Sequence, residues 1–149
     1  AEPLRGIDQR VLVRELSVLI RNLRSVTPDP GLQVRMIQDA YAFLDLPAAK
    51  FLNDYFAVPE NNPRLLSQEI TRSVEITSVL PIPNSDSWKV QWTELERPRA
   101  GSVSQSRAWE AYLTVRQSLP KTVETIRVNP LGLYVTGVNW TQINTPSAS

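Results

Sequence analysis

The sequence has no cysteine and no histidine. The first absence excludes disulfides, thiolate catalysis and cysteine-type zinc sites. The second removes the commonest general base and metal ligand. Only five glycines occur, scattered, so there is no glycine-rich phosphate loop. No nucleophile–base pair can be built except around lysine or a carboxylate. The net charge of +1 lacks the basic excess with which a dedicated nucleic-acid binder neutralises phosphates. No apolar run approaches the roughly 18 residues that span a bilayer, and no charged-then-apolar signal segment opens the chain. What remains is an ordinary globular composition, 42% hydrophobic and 21% charged over 149 residues. That length fits one domain, which buries roughly 68–70% of its unfolded surface without staples.

The first half reads as helices. Leu12, Leu16, Leu19, Leu23 and Val26 recur every three or four positions between Ile7 and Val26, a continuous stripe that Val13 and Ile20 widen. A stripe this wide faces a core; part of it could also meet another subunit. Arg10, Arg14, Arg21 and Arg24 read as the solvated face, or as neighbours of lipid head groups if a membrane anchor precedes Ala1. Thr27-Pro28 ends this helix, and Asp29-Pro30 supplies the cap and first turn of a second that runs to about Leu44. Asp45-Leu46-Pro47 starts a third, through Phe56, and Arg64 to Gln68 can form a short helical turn.

The second half reads as strands. Val74, Ile76 and Leu80 alternate with polar residues over Ile70–Leu80, as do Trp88, Val90 and Trp92, and then Trp109, Ala111, Leu113 and Val115. Pro98 to Gly101 closes the second of these strands. In the last strand the apolar phase changes. Leu133 and Val135 share one parity and Val138 and Trp140 the other, so a β-bulge is expected near Gly137. The tail after Ile143 is polar. Helices followed by consecutive antiparallel strands make an α+β fold, with a curved sheet wrapped on the helices.

The segment before the last strand is Asn129-Pro130-Leu131-Gly132-Leu133-Tyr134-Val135-Thr136, followed by Asn139-Trp140. Locally it is a turn that feeds a strand, with Pro130 rigid and Gly132 free to take angles that a side chain forbids. It closely resembles the end of the TrbF-like proteins, which belong with the eighth VirB protein, the inner-membrane assembly component of type IV secretion systems. That family's Asn-Pro-x-Gly motif matches Asn129, Pro130 and Gly132, and Ala40-Tyr41-Ala42-Phe43-Leu44 looks like the end of its second periplasmic helix. The resemblance implies the cone-like fold of nuclear transport factor two, with a four-stranded antiparallel sheet. It implies that residues 1–149 are a single periplasmic domain, with a cytoplasmic tail and one membrane-spanning helix upstream, at the inner membrane. It implies a non-catalytic scaffold without cofactor or metal, which associates weakly with itself and contacts other secretion subunits. No specific nucleic-acid partner is expected.

On this reading Asn129, Pro130 and Gly132 shape a turn at or beside the self-association surface. Leu12, Leu16, Leu19 and Leu23 on the first helix, and Trp140 after the phase switch, are further interface candidates. The alternative is a small-molecule enzyme or ligand carrier of the same fold, with Asp39, Asp45 or Asp54 working beside Tyr41 or Tyr55 in an enclosed pocket. The four tryptophans, Trp88, Trp92, Trp109 and Trp140, could also stack bases beside Lys89 and Arg107, but the parity of the first three favours packing in the core.

Overall fold

The computed structural model describes residues 7–100 and 103–143. The upstream segment, Gly101 in the expected closing turn and the tail after Ile143 lie outside them. Three helices come first, α1 (Gln9–Arg24), α2 (Pro30–Tyr41) and α3 (Leu46–Ala57), followed by a 3-10 turn at Pro59–Asn61 and the short α4 (Pro63–Leu66). The strands β1 (Ile70–Pro81), β2 (Ser87–Pro98) and β3 (Gln105–Gln117) follow, then the short α5 (Val123–Val128) and β4 (Leu133–Gln142).

The helix starts are chemically specified. Asp8, Asp29, Asp45, Asn62 and Thr122 each accept a hydrogen bond from a backbone N–H of the first turn. Pro30, Pro47 and Pro63 occupy first-turn positions, where no N–H donor is missed. The α5 helix was not legible: its six residues are too few to show a periodicity, and only the Thr122 cap marks it.

The four strands form one antiparallel sheet in sequence order. Two bulges curve it. In β4, Thr114 pairs with Gly137 and Val115 with Val135, so Thr136 is the extra residue. The expected phase change follows, with Leu133 and Val135 buried before the bulge and Val138 and Trp140 after it. In β1, Thr77 is extra between Ile76 and Ser78. This bulge corrects the expectation for Leu80: Val79 turns onto the core instead, and Leu80 is 59% exposed.

The buried residues of the sheet's concave face and of α1 form one cluster. Three expectations change here. Leu12, Leu16, Leu19 and Leu23 are all at most 3% exposed, so the wide stripe is consumed by the core and offers nothing to a partner. Trp140 is also core, packed edge-on against Phe51 and Tyr55, and is not an interface residue. Arg24 leaves the solvated face assigned to it and is 2% exposed.

Candidate functional site

The motif turn is a clamp. The Asn129 side chain is fully buried. Its Nδ2 donates to the Leu133 carbonyl (2.7 Å) and to that of Ala42 (3.3 Å), and its Oδ1 accepts from the Leu133 N–H (3.1 Å). The Gly132 N–H donates to the Asn129 carbonyl at 3.0 Å, and the Ser118 N–H to the Gly132 carbonyl at 2.7 Å. Gly132 has φ +63°, in the left-handed region, so the turn requires the freedom read into it from sequence. Immediately after the turn, the Val135 N–H donates to the Phe43 carbonyl (2.8 Å) and the Asp45 N–H to the Val135 carbonyl (2.9 Å). The two segments that carried the family resemblance, 40–44 and 129–136, are therefore bonded to each other.

Pro130 is exposed, but Asn129 and Gly132 are not. Backbone hydrogen bonds tie the clamp to its neighbours, from the Asn129 N–H to the Thr125 carbonyl and from the Ser118 N–H to the Gly132 carbonyl. Those neighbours are apolar and exposed: Leu119 (74%), Val123 (75%), Ile126 (50%) and Val128 (53%) on the connector and on α5. Glu124 and Arg127 form an exposed ion pair on the same short helix.

The cone interior is filled by charge. Arg24 meets both oxygens of Glu94 in a bidentate pair, at 2.5 and 2.9 Å. Glu94 also accepts from the Trp92 indole (2.9 Å) and lies 3.3 Å from the Arg72 guanidinium. Arg24 donates to the Tyr55 hydroxyl at 2.6 Å, and its guanidinium carbon lies 4.3 Å from the Trp109 ring centroid and 5.0 Å from that of Trp140. Burial works against the Arg24 charge. The hydrogen bonds and charge of Glu94, with those of Tyr55, outweigh it and hold the pKa above its ordinary value. The Arg24 guanidinium thus lies between Glu94 and the rings of Tyr55, Trp109 and Trp140. Both residues carried a readable signal. Glu94 shares the inward parity of Trp88, Val90 and Trp92, and Arg24 lies four residues beyond Ile20 on the apolar stripe.

The acids considered for catalysis are not brought together. Asp39 is exposed, and Asp54 pairs with Lys50 at the surface. Asp45 caps α3 and pairs with Arg116 at 2.9 Å. The Leu46 N–H lowers the Asp45 pKa; partial burial opposes this, and Arg116 reinforces it. Tyr41 donates to Asn53, and Tyr55 serves Arg24. The only strongly buried acid, among the described residues, is Glu94, and it is neutralised.

The whole of this architecture matches known proteins. The VirB8 protein family model covers residues 6–142. The chain belongs to the VirB8 family. It is 34% identical over 136 residues to a conjugal transfer protein TrbF from Rhizobium radiobacter, matching 90% of this chain. The chain spans 60% of that relative's length. Its fold is similar to that of VirB8 from Agrobacterium tumefaciens (TM-score 0.81, 15% identity, 98% of this chain and 100% of that one). It also resembles a TrwG type IV secretion component from Bartonella birtlesii (TM-score 0.78, 15% identity, 95% and 97%). A third solved relative, TraE in complex with a pyrrolyl-pyridinecarboxylic acid, gives a TM-score of 0.76 at 21% identity, with 93% and 99% covered. The cone of nuclear transport factor two, with its four-stranded antiparallel sheet, is thus the fold of this VirB8-family chain. Among the described residues no helix is long and apolar enough to cross a membrane.

Proposed function

We propose that this VirB8-family chain is the periplasmic domain of a conjugative type IV secretion subunit that works by assembly alone. An inner-membrane anchor upstream of Ala1 would hold it at the periplasmic face, where it associates with its own copies and with other channel subunits. The similarity to a conjugal transfer protein over nine-tenths of the chain supports the conjugative setting. The observation that carries the assembly reading is the filled cone. Arg24, Glu94 and three surrounding aromatic rings take the space a substrate would need. Binding is left to the outside.

The self-association surface in this reading is the strap of Leu119, Val123, Ile126 and Val128 that the Asn129–Gly132 clamp holds in place. A held strap loses little freedom on binding. The test is complementation of transfer by the full-length protein carrying Val123→Asp and Ile126→Asp. Normal membrane levels with transfer strongly reduced are expected; wild-type transfer would overturn the surface.

A further inference from the structure

Two depressions meet on the opposite, helical side. One, of about 200 Å³, lies between α2, α3 and α4 and is lined by Val34, Ile37, Phe56 and Pro63. The other, of about 310 Å³, holds Arg64, Ser67, Gln68 and Arg99 beside Pro28 and Pro30. Gln33 and Arg64 line both, so the two form one groove with an apolar half and a cationic half. Arg97 continues the cationic side in a third depression beyond Pro28.

The arginines differ from those nearby. Arg72 and Arg107 are paired with Glu94 and Glu96. Arg64, Arg97 and Arg99 are exposed and make no ion pair among the described residues. No carboxylate lines either half of the groove. The framework is preformed. Gln33 is 1% exposed, its Oε1 accepting from the Thr27 N–H (2.9 Å) and its Nε2 donating to the Ser25 carbonyl (3.0 Å). Asn62 caps the turn that carries Arg64, accepting from the Arg64 N–H at 2.9 Å.

We infer that this groove takes an acidic, apolar peptide segment of a partner subunit, with a large apolar side chain on Val34, Ile37 and Phe56 and an adjacent carboxylate on Arg64 and Arg99. The apolar half alone, at about 200 Å³, is below the roughly 300–1,000 Å³ of small-molecule sites. A peptide can use both halves at once. A nucleic-acid strand would use the arginines and leave the apolar half empty, which makes it the poorer fit. That the segment belongs to an assembly partner rests on the function proposed above; the groove chemistry does not.

The test titrates the isotope-labelled chain with acetyl-Gly-Asp-Leu-Phe-Glu-Gly-amide, following amide signals by NMR. Shifts at Val34, Ile37, Arg64 and Arg99 are expected. Replacing the acids of the peptide by Asn and Gln should weaken binding at least fivefold, as should Arg64→Ala with Arg99→Ala in a domain that melts normally. Absence of shifts in the groove, equal binding of the uncharged peptide, or an oligonucleotide moving the same signals more strongly would each overturn the assignment. In cells, full-length protein with Arg64→Glu and Arg99→Glu should lose transfer while keeping its self-association. Unchanged transfer would refute the partner role of the groove and leave the assembly reading standing.

Discussion

Gly132→Ala is the most informative single change. A Cβ at this position would lie 2.0 Å from the Ser118 carbonyl oxygen and 2.7 Å from its carbon. Both atoms are backbone, so no side chain can swing aside. Relief requires moving the connector after β3 and breaking the 2.7 Å bond from the Ser118 N–H to the Gly132 carbonyl. The left-handed conformation itself costs an alanine about 1–2 kcal/mol. The lost hydrogen bond adds about 0.5–1.5 kcal/mol, and the backbone displacement about 1–3 kcal/mol. The sum, about 2.5–6.5 kcal/mol, is a large share of the roughly 5–15 kcal/mol that holds a domain folded. In urea unfolding, with a slope of about 1–3 kcal/mol/M, the midpoint should fall by about 1 M or more. Gly137→Ala is the control. Its nearest neighbour would be the Thr114 hydroxyl at 3.4 Å, and a change within about 1 kcal/mol is expected. Gly132→Asn separates the two causes, because asparagine tolerates the left-handed region but keeps the Cβ; it should recover no more than about 1–2 kcal/mol. Equal midpoints for the alanine variants at 132 and 137, or full recovery by asparagine, would refute the close-approach argument.

Other perturbations have equally definite outcomes. Glu94→Gln leaves Arg24 without its buried counter-charge and should destabilise by about 3–5 kcal/mol by calorimetry; adding Arg24→Met should return part of the loss. Asn129→Ala strips partners from the Leu133 amide and carbonyl and from the Ala42 carbonyl. It should cost about 2–4 kcal/mol and speed hydrogen exchange at Leu133, measured by NMR. Asp45 has a depressed pKa in the folded chain, so its contribution is present above the unfolded value of about 3.9 and is lost as pH falls from there through the folded value. Stability-versus-pH curves of wild type and Asp45→Asn should therefore converge in acid below about pH 4; curves that stay parallel would remove Asp45 from the acid response.

Most of the element order was legible because caps and phases are local. Asp29-Pro30 and Asp45-Leu46-Pro47 name helix starts without tertiary help. The parity change across Gly137 located the β4 bulge to within one residue. The Thr77 bulge was hidden because Leu80 continued the alternation and nothing in sequence favoured Val79. The interface candidates failed for a different reason. The Leu12–Leu23 stripe and Trp140 are apolar in a way that fits core and contact surface equally, and only the packed sheet decides between them. The exposed apolar residues next to the clamp include Val123, Ile126 and Val128 on α5, where six residues carry no period. The Arg24–Glu94 pair shows the limit most clearly: both positions lie on inward-facing patterns, but Arg24 was read with the solvated arginines, because only the meeting of the two charges, 70 residues apart, offsets the cost of burying either.

Assembly through the strap beside the motif clamp is open to sedimentation equilibrium. Wild type and the Val123→Asp, Ile126→Asp variant would be compared from micromolar to millimolar concentration. The wild type should form a reversible dimer and the variant a normally folded monomer. A wild type that stays monomeric throughout, or a variant that dimerises as well as the wild type, would contradict it.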